Sequence, residues 1–257
     1  MKASISSHKQ GKRLQTAVSV LIWLLIWQCA SMAIKQEMLL ASPVSVARQL
    51  IILVRTAQFW SSAGFSISRV LAGFFLALII GLFLGVIAYM LKPIQIFLAP
   101  AMTVIKAAPV ASYIILCLLF VSSRRLSVVI SFLTALPVIY TNILQGLKTT
   151  DPKLLEMAQV FKVSAFYRGL YIYLSHLLPF LVSSCSLALG FCWKSGIAAE
   201  VIGLPAGSMG ERLYQAKIFV DTKNTLAWTA AVVFLSLVFE KAVLYLLNKL
   251  SRAVERM

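Results

Sequence analysis

Charge is scarce in this chain, and acid is scarcer still: 12% of the residues are Asp, Glu, Lys or Arg, and only 8 of the 257 are Asp or Glu. A soluble domain carries about a quarter charged residues and under half apolar ones. Here 60% belong to the set AVILMFWYC and the mean hydropathy is +0.90, the composition of an integral membrane protein. Histidine is reduced to His8 and His176, and no HExxH, CxxC or GxSxG occurs, so metal-dependent and triad hydrolysis lack their parts. The four cysteines, Cys29, Cys117, Cys185 and Cys192, all fall inside apolar stretches. On one helix Cys185 and Cys192 would be separated by roughly 10.5 Å of rise, against about 5.5 Å between the Cα atoms of a disulfide, so no disulfide framework is indicated. A phosphate-cradling Gly-x-x-x-x-Gly-Lys loop is also missing, which leaves the chain without its own means of hydrolysing ATP.

What is present are long uncharged runs: 21 residues between Arg13 and Lys35, 22 between Arg69 and Lys92, and 22 between Arg125 and Lys148. Crossing a hydrocarbon core takes roughly 20 helical residues, so each run is long enough to span. The first exceeds the apolar core of a secretory signal and ends without a small-x-small site, so it reads as a retained anchor. Six spans are expected, at about 14–34, 66–91, 104–121, 126–147, 179–201 and 224–244, giving an all-α polytopic membrane protein. The 24 Lys and Arg residues bring the net charge to +16 and sit mainly in the short connections, where anionic headgroups and topology selection account for them; nucleic acid is not an expected partner. Placing 1–13, Lys92, Lys148 to Ser175 and the basic end with Lys249, Arg252 and Arg256 inside gathers 12 basic residues, or 13 with Lys241, against 8 outside, so both termini are expected in the cytoplasm. Residues 1–13 and 251–257 are then tails flanking a transmembrane domain at 14–250.

Local signals fill in this outline. Ser42-Pro43 reads as N-cap and first helical position of an amphipathic helix reaching Trp60 at the outer interface. Gly73, Ala77, Gly81 and Gly85 recur at intervals of four and line one helical face with small residues, a seam for close helix packing. Ala108-Pro109 interrupts the third apolar segment, where proline removes a backbone donor. Lys106, Lys194 and Glu200 are ionisable residues at span depth, where charges face a cavity or a partner; they either line a solute pathway or are structural, with Lys194 and Glu200 as a possible pair. Trp60, Trp193 and Trp228 read as interface anchors or packing, and His176 as an interfacial residue.

Between the fourth and fifth spans the sequence is polar, and 150–164 reads as a short amphipathic helix. Thr150 or Asp151 can cap it, Pro152 suits its first turn, and Leu154, Leu155, Ala158 and Phe161 form an apolar face. The spacing of Asp151-Pro152, Glu156, Ala158, Ser164, Ile172, Leu174, Leu178 and Pro179 resembles the EAA loop of ABC transporter permease subunits. Met157 replaces the first alanine of that motif, Lys162 stands where the family has a turn-making glycine, and Ser175 replaces a proline. A Lys at positive φ costs about 1 kcal/mol or more. A second block, Trp193-Lys194 with Ala198-Ala199-Glu200 and Ile202-Gly203, then Asp221-Thr222, resembles the nitrate, sulfonate and taurine branch, so that the resemblance covers about residues 40–250.

The resemblance implies a type I ABC importer permease-like fold with a cytoplasmic coupling helix, in the cytoplasmic membrane of a bacterium or archaeon. It implies a transport subunit and not an enzyme, with no cofactor on this chain and ATP-Mg at a partner ATPase. Its partners would be a cytoplasmic ABC ATPase dimer, a second permease subunit in a homodimer, an extracytoplasmic substrate-binding protein and membrane lipid. Asp151, Leu155, Glu156, Ala158, Phe161, Lys162 and Ser164 would couple to the ATPase, and Lys106, Trp193, Lys194 and Glu200 would lie on the translocation pathway. The solute would be small and polar or anionic, of sulfonate, taurine, nitrate or thiamine-precursor type. An ion-gradient-driven secondary transporter would instead show internal repeats with broken helices in both halves. Only the interruption at Pro109 is visible, and a membrane-embedded enzyme lacks a nucleophile and a metal-ligand set.

Overall fold

The computed structural model describes residues 2–34 and 36–254, with side chains described outside 2–14, 17, 170 and 250–254. Lys35 and the last three residues of the expected C-terminal tail, including Arg256, lie outside the described residues. All regular secondary structure among the described residues is helical, with no strand among them. They form two compact units, one from residues 1–60 with 212–231 and the other from 61–211 with 232–257.

The first unit contains α1 (Lys2–Ile34), α2 (Pro43–Val54) and the opening residues of α11 (Thr222–Val254). Ser42 caps α2 by accepting from Ser45 N at 3.2 Å, and Pro43 takes the first helical position, where its missing N–H costs nothing. The helix expected to run to Trp60 stops at Val54; Thr56 Oγ1 accepts from Phe59 N and restarts it as α3 (Ala57–Met90). Trp27 Nε1 donates to Ala41 O at 3.1 Å, and Gln49 Nε2 donates to Asn224 Oδ1 at 2.8 Å, tying α1, α2 and α11 around Ala41, Val46 and Ala227. The Phe59 ring stacks on Trp228 at 5.3 Å. Residues 2–13, expected as a tail, continue the helix of the first apolar run.

The second unit is built on α6 (Ser123–Lys148) and α9 (Ser175–Gly203), which pack along one another. On α3, a Cβ at Gly73 would lie 2.5 Å from Val128 O, and one at Gly85 would lie 2.7 Å from Ile143 Cγ2, so the small-residue face meets α6 backbone to backbone. Ala77 between them is fully buried. The segment expected as the third span is two helices, α4 (Lys92–Ala107) and α5 (Val110–Leu118), bent by 103° at Ala108-Pro109. Proline there cannot donate to the preceding turn, and its ring pushes Ala108 out of helical geometry to ψ 135°. Ile114 of α5 is buried with Leu126, Ile130 and Ala199.

Among the described residues four helices are long and apolar enough to cross a membrane, and the bent pair makes a fifth if it counts as one span. The described apolar part of α1, Val18–Ile34, is shorter than these; the expected six are reached only by including both. Much of the connection at 148–178 is itself helical: α7 (Pro152–Val160), the single turn α8 (Ala165–Tyr167), a π-helical stretch (Arg168–Leu174) and then α9, with Pro179 inside its first turns.

Because Gly73 has no room for a Cβ and Gly64 has nothing within 4 Å, Gly73→Ala is expected to lower stability by about 1–3 kcal/mol while Gly64→Ala leaves it unchanged. Thermal unfolding of the two variants in nanodiscs checks this; equal midpoints would contradict the α3–α6 contact.

Candidate functional site

Asp151 closes the N-terminus of α7, its Oδ1 accepting from Lys153 N at 2.9 Å, and Pro152 follows as the first helical residue. At the other end Val163 N donates to Ala158 O and Lys162 N to Gln159 O, a Schellman closure with Lys162 in the left-handed region at φ 53°. The chain therefore makes the glycine-type turn with lysine and bears its conformational cost. Leu155 is half-buried and Ala158 is 1% exposed, facing the chain's own packing beside the π-helical stretch. This corrects the expected apolar face: Ala158 belongs to the inner side of α7. Leu154, Met157, Val160 and Phe161 form the outer side, the last two 78% and 75% exposed. Glu156 and Ser164 are exposed as well. The amphipathic pattern showed apolar residues without showing which of them the protein covers itself.

Around α7 the neighbouring elements are fastened to one another. Thr149 Oγ1 lies 3.3 Å from His176 Nε2, a Cβ at Gly146 would lie 2.9 Å from Leu177 Cδ1, and Tyr89 Oη approaches Tyr173 Oη at 3.4 Å. The end of α6 thus meets the beginning of α9, and the end of α3 meets the π-helical stretch that α7 packs against.

At the opposite end of α9 sits Glu200, fully buried. Ser66 Oγ donates to its Oε2 at 2.6 Å, Gly210 N donates to the same oxygen at 3.2 Å, and Met209 N donates to Ser66 Oγ at 3.0 Å. The carboxylate therefore caps the start of α10 (Met209–Ile218), where the helix dipole favours negative charge. A Cβ at Gly210 would fall 2.3 Å from Glu200 Cβ, so only glycine lets the two helices approach this closely. Ser208 Oγ accepts from Glu211 N, and Glu211 Oε2 accepts from Gly207 N at 2.6 Å, a variant capping box that Ser208-x-x-Glu211 carries in the sequence and that sequence reasoning missed. Ser66 has no such local signal, because it is 134 positions from its partner.

The four membrane residues separate into two kinds. Trp193 is 3% exposed and packs on Phe239 with ring centroids 5.9 Å apart, while Glu200 is held in the cap, so both are part of the chain's own packing. The pairing of Lys194 with Glu200 is not formed: Lys194 is exposed and makes no ion pair among the described residues. Lys106 is also exposed, its Nζ donating to Thr141 Oγ1 at 3.1 Å. It borders a cavity of about 340 Å³ at the α4–α5 break, together with Tyr113, Thr134 and Phe191. Among the described residues no group of three His, Cys, Asp or Glu is placed to hold a metal.

Removing the Glu200 carboxylate strands Ser66 Oγ and Gly210 N, and a buried donor left unpaired costs about 1–3 kcal/mol. Glu200→Ala is accordingly expected to destabilise and to raise the reactivity of a cysteine introduced at Ser208, in a background without the native cysteines, toward a thiol-reactive dye, whereas Glu200→Gln keeps an accepting oxygen and loses little. Equal dye accessibility in both would contradict the capping role.

Comparison with known proteins places this geometry in a family. Residues 77–256 match the model of the binding-protein-dependent transport system inner membrane component. The putative aliphatic sulfonates transport permease protein SsuC of Bacillus subtilis is 25% identical over 212 residues, covering 82% of this chain and 75% of that one. The taurine transport system permease protein TauC of Escherichia coli is 21% identical over 230 residues, 87% of this chain and 82% of that one. The nitrate import permease protein NrtB of Synechococcus elongatus is 25% identical over 216 residues, 80% and 77% of the two chains. A chain of the MetNI methionine ABC transporter, in an inward-facing conformation, superimposes with a TM-score of 0.61 at 15% identity over 77% of this chain and 96% of its own, which shows the fold. With its cytoplasmic-type EAA segment, its helical membrane unit and a family match over most of its length, the chain belongs to the binding-protein-dependent transport inner membrane components, as an ABC transporter permease of the nitrate, sulfonate and taurine branch.

Proposed function

We propose that this chain is the membrane-spanning permease of an ATP-driven importer, acting as one of two identical copies above a pair of cytoplasmic ABC ATPase subunits. In this reading ATP-Mg is bound and hydrolysed by the ATPases, an extracytoplasmic binding protein delivers the solute, and the assembly sits in the cytoplasmic membrane of a bacterium or archaeon. The solute is small and polar or anionic, as the names of the sulfonate, taurine, nitrate and bicarbonate relatives suggest. Lys106 and Lys194 are the pathway candidates, since both are exposed at span depth.

The observation that carries the reading is the outer face of α7. Leu154, Met157, Val160 and Phe161 are exposed together on a helix whose inner side packs on the π-helical stretch leading into α9. An amphipathic helix laid into a partner's groove buries such a face, and one rigidly joined to two spans passes a displacement of the partner to them. Asp151 and Lys162 serve this by fixing the two ends of α7, and Glu156 offers a charge at the rim of the contact.

Met157→Asp with Phe161→Asp is expected to leave membrane insertion and thermal stability unchanged, because both positions are exposed, while co-purification with a co-expressed ABC ATPase falls at least about tenfold and vanadate-sensitive uptake is lost. Ala158→Asp, by contrast, should lower stability in the isolated permease, since its site is internal. Undiminished ATPase binding by the double variant would refute docking through this face.

A further inference from the structure

We propose that the groove between α1 and α2 binds one anionic phospholipid whose headgroup carries hydroxyls, as that of phosphatidylglycerol does. The groove lies wholly within the first unit and shares no residue with the cavity at the α4–α5 break.

Shape comes first. The groove holds about 810 Å³, inside the roughly 300–1,000 Å³ of ligand sites. Leu21 and Leu25 of α1 line it with Ile51 and Ile52 of α2, and all four are exposed. An acyl chain is as apolar as these side chains and covers them without leaving the bilayer.

Charge comes second. Arg48 and Arg55 are the ionisable residues of the lining, seven positions apart and therefore on one face of α2. Both are exposed, and neither side chain makes an ion pair or hydrogen bond among the described residues. Their long stems let the two guanidinium groups converge on one phosphodiester, whose oxygens accept from both. The dipole of α2 favours a cation at Arg55, its C-cap, and gives no reason for Arg48.

The chain has no spare counter-charge for this face. Of its 8 acidic residues, Glu37, Glu200, Glu211, Asp221 and Glu240 already hold partners, Asp151 and Glu156 belong to α7 and its cap, and Glu255 lies outside the described residues. A second copy seated symmetrically on the groove would set arginine against arginine. The bilayer supplies the missing anion.

The headgroup comes third. Gln28 lines the same groove, and its Oε1 is buried with no hydrogen-bond partner among the described residues. A buried acceptor left unpaired is costly. A phosphodiester has no proton to give it, whereas a headgroup hydroxyl donates to it. Phosphatidylcholine offers neither a net charge for the arginines nor a hydroxyl for the amide.

The test is native mass spectrometry of the full-length chain in detergent, titrated with phosphatidylglycerol, phosphatidylmethanol and phosphatidylcholine of identical acyl chains. Phosphatidylglycerol is expected to bind at least about tenfold more tightly than phosphatidylcholine, with phosphatidylmethanol, which keeps the charge and lacks the hydroxyls, in between. Arg48→Gln with Arg55→Gln should weaken phosphatidylglycerol at least about tenfold, and Gln28→Leu should bring it down to the level of phosphatidylmethanol. Arg125→Gln, at an exposed arginine of the second unit, should change nothing. Equal affinities for the three lipids, full phosphatidylglycerol binding by the double arginine variant, or an equal loss in Arg125→Gln would each overturn the proposal. So would oxidative cross-linking of two copies through a cysteine introduced at Ile52 in a background without the native cysteines, which would put a second chain in the groove. If the double variant fails to fold, the lipid ranking on the unaltered chain and the Gln28→Leu result still decide it.

Discussion

Where α3, α6 and α9 converge, there is no space for a side chain. A Cβ at Gly196 would lie 2.6 Å from Ser131 Oγ, 2.8 Å from Val70 Cγ2 and 3.1 Å from Ser127 Oγ. Within a bilayer, apolar surface gains little by leaving lipid, so helices are held by close backbone approach and by hydrogen bonds between them. Both are found here. Ser131 Oγ donates to Cys192 O at 3.2 Å, and Cys192 Sγ donates to Ser131 O at 3.3 Å, so α6 and α9 exchange contacts in both directions. The cavity walls, the Glu200 cap and the seat of α7 all take their positions from this pair.

The pair also spaces three features along its length. Gly146 and Leu177 meet near one end, beside the exposed face of α7; Thr134 and Phe191 border the cavity in the middle; Glu200 holds α10 at the other end. In the proposed reading a push at α7 acts on helices packed along one another, while Pro109 interrupts the ladder of hydrogen bonds between α4 and α5.

Much of this was legible in the residues. Ser42-Pro43 and Asp151-Pro152 announce helix starts because their chemistry is local, and the Gly73 to Gly85 ridge shows itself through spacing alone. Pro109 marked a break, but its angle depends on what α4 and α5 pack against, and no local pattern specifies that. The face of α7 was read with Ala158 outward because periodicity places apolar residues on a stripe without saying which edge the protein buries. Glu200 was visible as a costly charge, and its partners were not: Ser66 and the amide of Gly210 come from other helices, and an amide has no sequence signature. The continuation of α1 through residues 2–13 was hidden by polarity, which argues against a span but not against a helix.

Lys162 joins two demands that usually fall to different residues. Its left-handed backbone is the conformation for which glycine is selected, yet its side chain puts a positive charge at the carbonyl end of α7, where the helix dipole is negative. Glycine would relax the turn and forfeit the charge; an unbranched acid would keep the strain and oppose the dipole. The position thus sets backbone ease against electrostatic complementarity within a single residue.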